Sequence, residues 1–277
     1  MPGTLYVVAT PIGNLEDLTF RAARLLQEVE LIAAEDTRRT ATLLQHYSIS
    51  TPTTSFHAHN EGRKQSTLLD KLSAGQSIAL VSDAGTPTVS DLGTRLVAAA
   101  LDRGLRVEAV PGASAVLAAL SSSGVVSEQF LFVGFPPSRS QARARWLEKL
   151  ADEPRPLVIF EAPHRIAKLL GHMTDIFGDR QVALGRELTK KHEELVKGPI
   201  SFILNNLSAV KGEMTLVVEP SEQSENETRC PSNSLIYKEF CRLTDIEGFG
   251  RRDAISALAR RHGISSKTIY QAIEDVK

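Results

Sequence analysis

Four short apolar runs in the first half of the chain each end in a polar or glycine-bearing turn. Leu5–Ala9 runs into Thr10-Pro11-Ile12-Gly13-Asn14, and Val29–Ala34 into Glu35-Asp36. Ile78–Val81 runs into Ser82-Asp83-Ala84-Gly85-Thr86-Pro87, and Leu105–Val110 into Pro111-Gly112-Ala113-Ser114. A run that is apolar throughout, rather than alternating, suits a strand covered on both faces. The stretch between the first two, Asp17–Val29, carries Leu18, Ala22, Leu25 and Leu26 on one side and reads as a helix. Strand–helix alternation of this kind predicts an α/β fold built on a mostly parallel sheet.

The second half has another texture. Phe130–Phe135, Leu157–Phe160, Val182–Leu184, Ile200–Leu204 and Met214–Val218 are strand candidates, with helices over Ser138–Leu150 and Pro163–Phe177. Short connections among them predict a mixed sheet in an α+β domain. The expected domains are 1–125, carrying the ligand-type loops, and 126–219, with a Ser-, Glu-, Asn- and Pro-rich linker over 220–234. A helical domain follows over 235–277, where Ala259, Gly263 and Ile269 have helix-turn-helix spacing. Ser265 or Ser266 can cap its last helix, with Ile269 and Ile273 packing back.

Composition excludes several classes. Lys plus Arg total 32 against 33 Asp plus Glu, so the chain is neither basic throughout nor an acidic solvating segment. With 42% hydrophobic and 23% charged residues it is not disordered, and with 5% aromatics it offers no platform for stacking several bases. Two cysteines, Cys230 and Cys241, make neither a disulfide framework nor a four-cysteine zinc site. No signal-like N-terminus or membrane-length apolar segment is present, so the expected location is the cytoplasm.

Ligands of parallel sheets sit at the carboxyl ends of the strands. Three turns fall there, Thr10–Asn14, Ser82–Thr86 and Pro111–Ser114, and three small-residue turns on one sheet suit a nucleotide-like ligand. Neither the dinucleotide fingerprint nor a P-loop occurs, and no nucleophile elbow supports a serine hydrolase. His57 and His59 lack a third metal ligand nearby in sequence, so no metal is expected. Arg139 and Arg143 are four apart, as are Arg145 and Lys149, and such guanidiniums can grip phosphates. Arg251, Arg252, Arg260, Arg261 and Lys267 form a second basic group, offset locally by Asp253 alone.

Several longer motifs resemble one family. They are Leu5–Leu15, Ala34–Arg38, the SDAGTP turn at 82–87, Pro111–Ala115, Phe132–Pro136, EAPHR at 161–165, RELTKKHEE at 186–194 and Gly212–Thr215. Together they resemble the bacterial ribosomal RNA small-subunit methyltransferase I family, of the tetrapyrrole-methylase-like superfamily. Leu92 stands where that family commonly has Pro, and Pro220 where Gly is more usual.

The resemblance implies a two-domain tetrapyrrole-methylase-like fold and S-adenosylmethionine-dependent 2′-O-methylation of a cytidine in the decoding region of 16S ribosomal RNA. It implies 16S ribosomal RNA or the small subunit as partner, a homodimer, and no membrane. Cofactor contacts carried over by motif are Gly13, Asp83, Ala84, Gly85, Thr86, Ser90, Ser114, Ala115, Phe132, Gly134, Glu213, Met214 and Thr215. Glu35, Asp36, Glu161 and Glu187 are the candidate bases for the acceptor hydroxyl, with no choice among them. Arg38, Arg165, Arg186 and Lys190 join Arg139, Arg143, Arg145, Arg252, Arg261 and Lys267 as candidate RNA contacts. The rivals are a tetrapyrrole methylase, a protein-modifying relative such as diphthine synthase, and a non-enzymatic regulator acting through the C-terminal helices.

Overall fold

The computed structural model describes residues 2–126, 128–207, 212–221, 233–246, 248–262 and 264–276. The chain forms two compact units: Met1–Leu147 with Pro156–Glu219, and Glu148–Arg155 with Pro220–Lys277.

The first unit holds two five-stranded sheets. In sheet one, β1 (Thr4–Val8), β2 (Leu31–Ala34), β3 (Thr53–Ser55), β4 (Ile78–Val81) and β5 (Arg106–Val110) are all parallel, in the order β3-β2-β4-β1-β5. Every residue of β4 is buried, as its unbroken apolar run requires. Helices α1 (Phe20–Glu28) and α2 (Thr37–His46) cover one face of the sheet with Leu25, Leu26, Leu43 and Leu44. Helices α3 (Glu61–Ser73) and α4 (Thr94–Asp102) supply Leu68, Leu69, Leu72 and Leu96 to a second buried cluster. The helix expected over Asp17–Val29 is a 3₁₀ turn, Leu15–Asp17, and then α1. Thr19 interrupts them, because its hydroxyl accepts the Ala22 N–H and caps α1.

Sheet two comprises β6 (Leu131–Gly134), β7 (Leu157–Glu161), β8 (Gln181–Arg186), β9 (Glu194–Pro199) and β10 (Met214–Val218). Their order is β6-β7-β10-β8-β9, with β6 parallel to β7 and the remaining pairs antiparallel. This is the mixed sheet that the short connections predict. One strand expectation fails: Ile200–Leu204 lies in helix α8 (Ile200–Asn205), and the edge strand is β9, just before it. Pro199 stands at the α8 N-cap, and Ile200 and Ile203 are buried three apart while Phe202 faces out, a helical and not an alternating pattern.

Helix α5 (Ala115–Ser122) carries Val116 and Ala119 into a cluster with Val158, Ala183 and Val217 of sheet two and Ile12 from the turn after β1. This cluster fixes the carboxyl ends of sheet one against sheet two. Helices α6 (Ser140–Glu148) and α7 (Pro163–Phe177) complete the unit.

In the second unit, α9 (Asn233–Cys241), a π-helical turn (Arg242–Ile246), α10 (Arg251–His262) and α11 (Ser266–Glu274) surround Ile236, Leu258, Ile269 and Ile273. Ser265 caps α11 by accepting the Thr268 N–H at 3.1 Å. Gly263, Cys230 and linker residues 222–232 lie outside the described residues. Among the described residues no helix is long and apolar enough to cross a membrane.

Candidate active site

The turn after β1 meets the turn after β4 through a pair of backbone hydrogen bonds, Thr10 N–H to Gly85 C=O at 2.8 Å and Gly85 N–H to Thr10 C=O at 3.0 Å. Gly85 needs its missing side chain there, since its φ is +77°. Thr86 reaches the third turn, its hydroxyl 3.3 Å from Ala113 C=O. The loop that follows holds Thr88 and Ser90 at positive φ, and Thr88 N–H closes it on Leu92 C=O at 3.1 Å. Leu92 also donates its N–H to Asp91 Oδ1 at 3.2 Å, a bond that a proline at that position lacks.

These turns and the ends of β7 and β10 enclose a cavity of about 410 Å³. It is lined by twelve of the residues expected at a site: Glu35, Asp83, Ala84, Gly85, Thr86, Ser90, Ser114, Ala115, Glu161, Glu213, Met214 and Thr215. Other expected residues lie beside it. Phe132 stacks edge-on against Phe160, which does line it, with centroids 4.9 Å apart. Gly134 backs onto Ser90, whose Oγ stands 2.9 Å from where a Cβ would sit. A Cβ on Gly13 would fall 2.4 Å from Lys190 Cγ, so the first turn packs against the Leu188–Lys190 turn and presents Ile12 to the cavity. Asp36 and Glu187 are not among the lining residues.

The lining also includes Arg39, Asp91, Phe135 and Phe160, which the sequence reading did not single out. A signal existed for the first two: Arg39 directly follows the Ala34–Arg38 motif, and Asp91 follows Ser90.

Three acids crowd the sheet-one side. Glu35 Oε2 accepts the Asp83 N–H at 3.2 Å, and Asp83 Oδ1 accepts the Asp36 N–H at 3.0 Å. Arg39 reaches Asp83 Oδ2 at 3.2 Å. Burial, and then the neighbouring Asp91 carboxyl, push Glu35 up to about 7 against the pull of the Asp83 N–H. Burial also raises Asp83, opposed by the Asp36 N–H and the Arg39 guanidinium. Asp36 is held well below the usual carboxylate range by the Arg38 guanidinium hydrogen-bonded to it.

The sheet-two side is charge-matched. Glu161 is 2% exposed; its Oε1 accepts the Ala162 N–H at 2.8 Å. Arg165 Nε lies 3.1 Å from that oxygen, off the hydrogen-bonding direction, so the contact is an ion pair. Arg165 also donates to Pro136 C=O at 2.5 Å. Glu161 Oε2 is buried and has no partner. Glu187 accepts from the Lys190 ammonium at 2.9 Å, which holds it below its ordinary range, and Gly212 leaves the room that this carboxylate occupies.

The basic residues divide by accessibility. Arg143 is corrected as a phosphate contact: it is 4% exposed and donates to His172 Nδ1 at 3.2 Å. It shares its helix face with the fully buried Leu147, four residues on in α6. Arg139, Arg145, Arg252 and Lys267 are exposed. Arg38 pairs with Asp36, Arg186 with Glu194, and Lys190 with Glu187 and Glu213. The tail's basic group is offset by more than Asp253, since Arg251 pairs with Glu274 and Arg261 lies 3.7 Å from Glu239. Among the described residues no three His, Cys, Asp or Glu side chains are grouped to hold a metal ion.

Comparison with known proteins agrees with the architecture. The family model Tetrapyrrole (Corrin/Porphyrin) Methylases matches residues 4–203. The chain superposes on uroporphyrin-III C-methyltransferase from Thermus thermophilus, complexed with S-adenosyl homocysteine, with a TM-score of 0.58 at 20% identity, covering 80% of this chain and 100% of that one. A diphthine synthase gives 0.60 at 11% identity, covering 78% and 90%; at such identities the likeness is one of fold. Ribosomal RNA small subunit methyltransferase I of Bacillus subtilis is 41% identical over 273 residues, 98% of this chain and 94% of the relative. That of Synechocystis is 42% identical over 274 residues, 97% and 96%. With a similarity of that size over nearly its full length, the chain belongs to the ribosomal RNA small subunit methyltransferase I family, among the tetrapyrrole methylases.

Proposed function

We propose that this protein methylates the 2′-hydroxyl of a cytidine ribose in the decoding region of 16S ribosomal RNA, with S-adenosylmethionine as donor. The observation that carries the reading is the cavity of about 410 Å³ whose walls are the motifs that the chain shares with its family. Its volume suits a ligand of that size, within the ~300–1,000 Å³ of ordinary small-molecule sites.

The residues present fit such a donor. The small residues Ala84, Gly85, Ser114 and Ala115 line it and leave room for a ligand, and apolar Ile12, Val89 and Met214 stand beside them. When bound, S-adenosylmethionine supplies an activated methyl group on a sulfonium. The chain's part is to position donor and acceptor and to exclude water; orientation alone is worth about 7–11 kcal/mol in well-aligned systems. Thr215 and Glu213 border the cavity from β10 and its approach, while Phe135 and Phe160 give it an apolar wall.

Exposed Arg139, Arg145, Arg252 and Lys267 are suited to the phosphates of a folded RNA. Binding through them weakens steeply with salt, and an affinity that stays flat from low to physiological salt counts against this part of the reading. The decisive experiment maps nucleoside masses and primer-extension stops in small-subunit ribosomal RNA from a strain lacking the protein. Loss of one ribose methyl at the decoding site, restored by the gene, is expected. Retention of that methyl overturns the function.

A further inference from the structure

Of the four carboxylates that are candidate bases, two are spent outside the cavity. Asp36 gives both oxygens to Arg38, and Glu187 is taken up by Lys190 and by the Glu213 N–H. Glu35 does border the cavity, but its Oε2 already accepts the Asp83 N–H, and it stands among the carboxyls of Asp83 and Asp91. Glu161 differs from all three. One oxygen is fixed by the Ala162 N–H and the Arg165 guanidinium, the other is buried and unpartnered, and the residue itself lines the cavity.

A buried carboxylate oxygen without a donor is costly, so a fold retains one where something else completes it. Everything around Glu161 holds it still. It is the last residue of β7, in register with Met214 of β10, and Pro163 opens the fifteen-residue α7 two positions later. Arg165, itself tied to Pro136 C=O, holds the paired oxygen Oε1 in place. Phe135, Phe160 and Pro163 keep the surroundings apolar, where one hydrogen bond counts for more than it does in water.

We infer that Glu161 Oε2 is the catalytic acceptor for the hydroxyl that receives the methyl group, an assignment that rests on the ribose-methylation reading above. The hydroxyl donates its hydrogen bond to Oε2, which aims an oxygen lone pair at the methyl carbon. As the oxygen–carbon bond forms, the carbon–sulfur pair stays with sulfur, whose positive charge is discharged. The O–H bond breaks and its proton passes to Oε2, leaving a methyl ether, a neutral thioether and a protonated Glu161 that releases its proton to water. The proton becomes strongly acidic as the new bond forms, so an ordinary carboxylate suffices as its base.

The test uses Glu161→Gln and Glu161→Ala in the full-length protein, with small-subunit RNA and S-adenosyl homocysteine as probes. Expected are a fall of about 10²–10⁴-fold in single-turnover methyl transfer, S-adenosyl homocysteine affinity by calorimetry within twofold of wild type, and partial rescue of Glu161→Ala by formate. An unchanged rate overturns the assignment. So does a lost affinity with a rate that recovers at saturating donor, which makes Glu161 a donor-site residue. If neither neutral variant folds, Glu161→Asp keeps the charge beside Arg165 and withdraws the oxygen by one methylene; it must slow transfer at least tenfold, and a wild-type rate overturns the proposal. Nucleoside mapping of the wild-type product separates the two claims: methylation on a base refutes the ribose reading whatever Glu161 does.

Discussion

The carboxyl ends of the two sheets treat charge in opposite ways. At sheet one, Glu35, Asp83 and Asp91 border the cavity together, and Arg39 is the only cation among the residues lining it. At sheet two the strand-end acids meet cations: Glu161 has Arg165, Glu194 has Arg186, and Glu187 shares Lys190 with Glu213. The titration follows. Glu35 is pushed up to about 7 while Glu187 is held below its ordinary range. Carboxylates on comparable turns reach opposite protonation behaviour because Glu35 is buried beside other carboxyls whereas Glu187 is hydrogen-bonded to an ammonium, not because of their own chemistry.

The largest break in this comparison comes from removing the cation on the matched side. Arg165→Met leaves the buried Glu161 carboxylate unpaired. Stranding a buried charge costs about 3–5 kcal/mol, and the low end is expected because the Arg165 side chain is 23% exposed. Denaturant unfolding measures it. Adding Glu161→Gln to Arg165→Met must recover most of the loss, since the charge that made the gap expensive is then gone. A double variant no more stable than Arg165→Met alone shows that Arg165 acts by packing rather than by charge.

Opposite signs are expected from a matched pair of neutral substitutions. Glu35 titrates higher in the folded protein than its ordinary 4.5. Its contribution is full below pH ~4.5 and is lost as pH rises through about 7. Glu35→Gln, which can still accept the Asp83 N–H, is thus more stable than wild type above pH 7 and indistinguishable near pH 4. Glu187 titrates lower than ordinary, so its contribution is present above its unfolded value and lost as pH falls below it. Glu187→Gln is therefore less stable at neutral pH, and the gap closes in acid. Each effect is on the order of 1 kcal/mol once solvent screening is allowed for. Thermal melts of both variants from about pH 3 to 8 check the signs, and curves that run parallel to wild type sink the contrast.

The two sheets were also unequally legible in the sequence. Sheet one follows from local rules, because Ile78–Val81 or Leu31–Ala34 must be buried on both faces and each ends in a turn with its own chemistry. Sheet two hides its edge: Glu194–Pro199 has no buried residue and mixes Leu and Val with Glu, Lys, Gly and Pro, so the apolar Ile200–Leu204 beside it reads as the strand although it is helical. The short β3, Thr53–Ser55, escapes for the same reason, with no buried residue of its own. At the site, the small-residue turns were readable because backbone shape is written locally in Gly, Ser and Thr. The roles of Arg39, Asp91 and Phe135 were not, since which side chains meet across a cavity is set by packing between elements far apart in sequence. Arg143 is the converse case: its spacing marks a surface, yet Leu147 on the same face carries it inside against His172.

The smallest effect on stability sharpens the comparison most. Arg39→Met removes the one cation among the cavity-lining residues, but Arg39 is 66% exposed, so the ion pair with Asp83 is worth less than about 1 kcal/mol. Its loss is electrostatic in another way. With no guanidinium 3.2 Å from Asp83, the anionic forms of the cluster are less favoured, and the midpoint of Glu35 must move above about 7. Carbon-13 titration of the side-chain carboxyls, comparing wild type with Arg39→Met, reads that shift directly. Salt screens exposed charges more than half-buried ones, so the shift shrinks with ionic strength without vanishing. A Glu35 midpoint that ignores Arg39 places the origin of its high value in burial alone. The contrast between the two sheet ends is then one of solvent access rather than of unmatched charge.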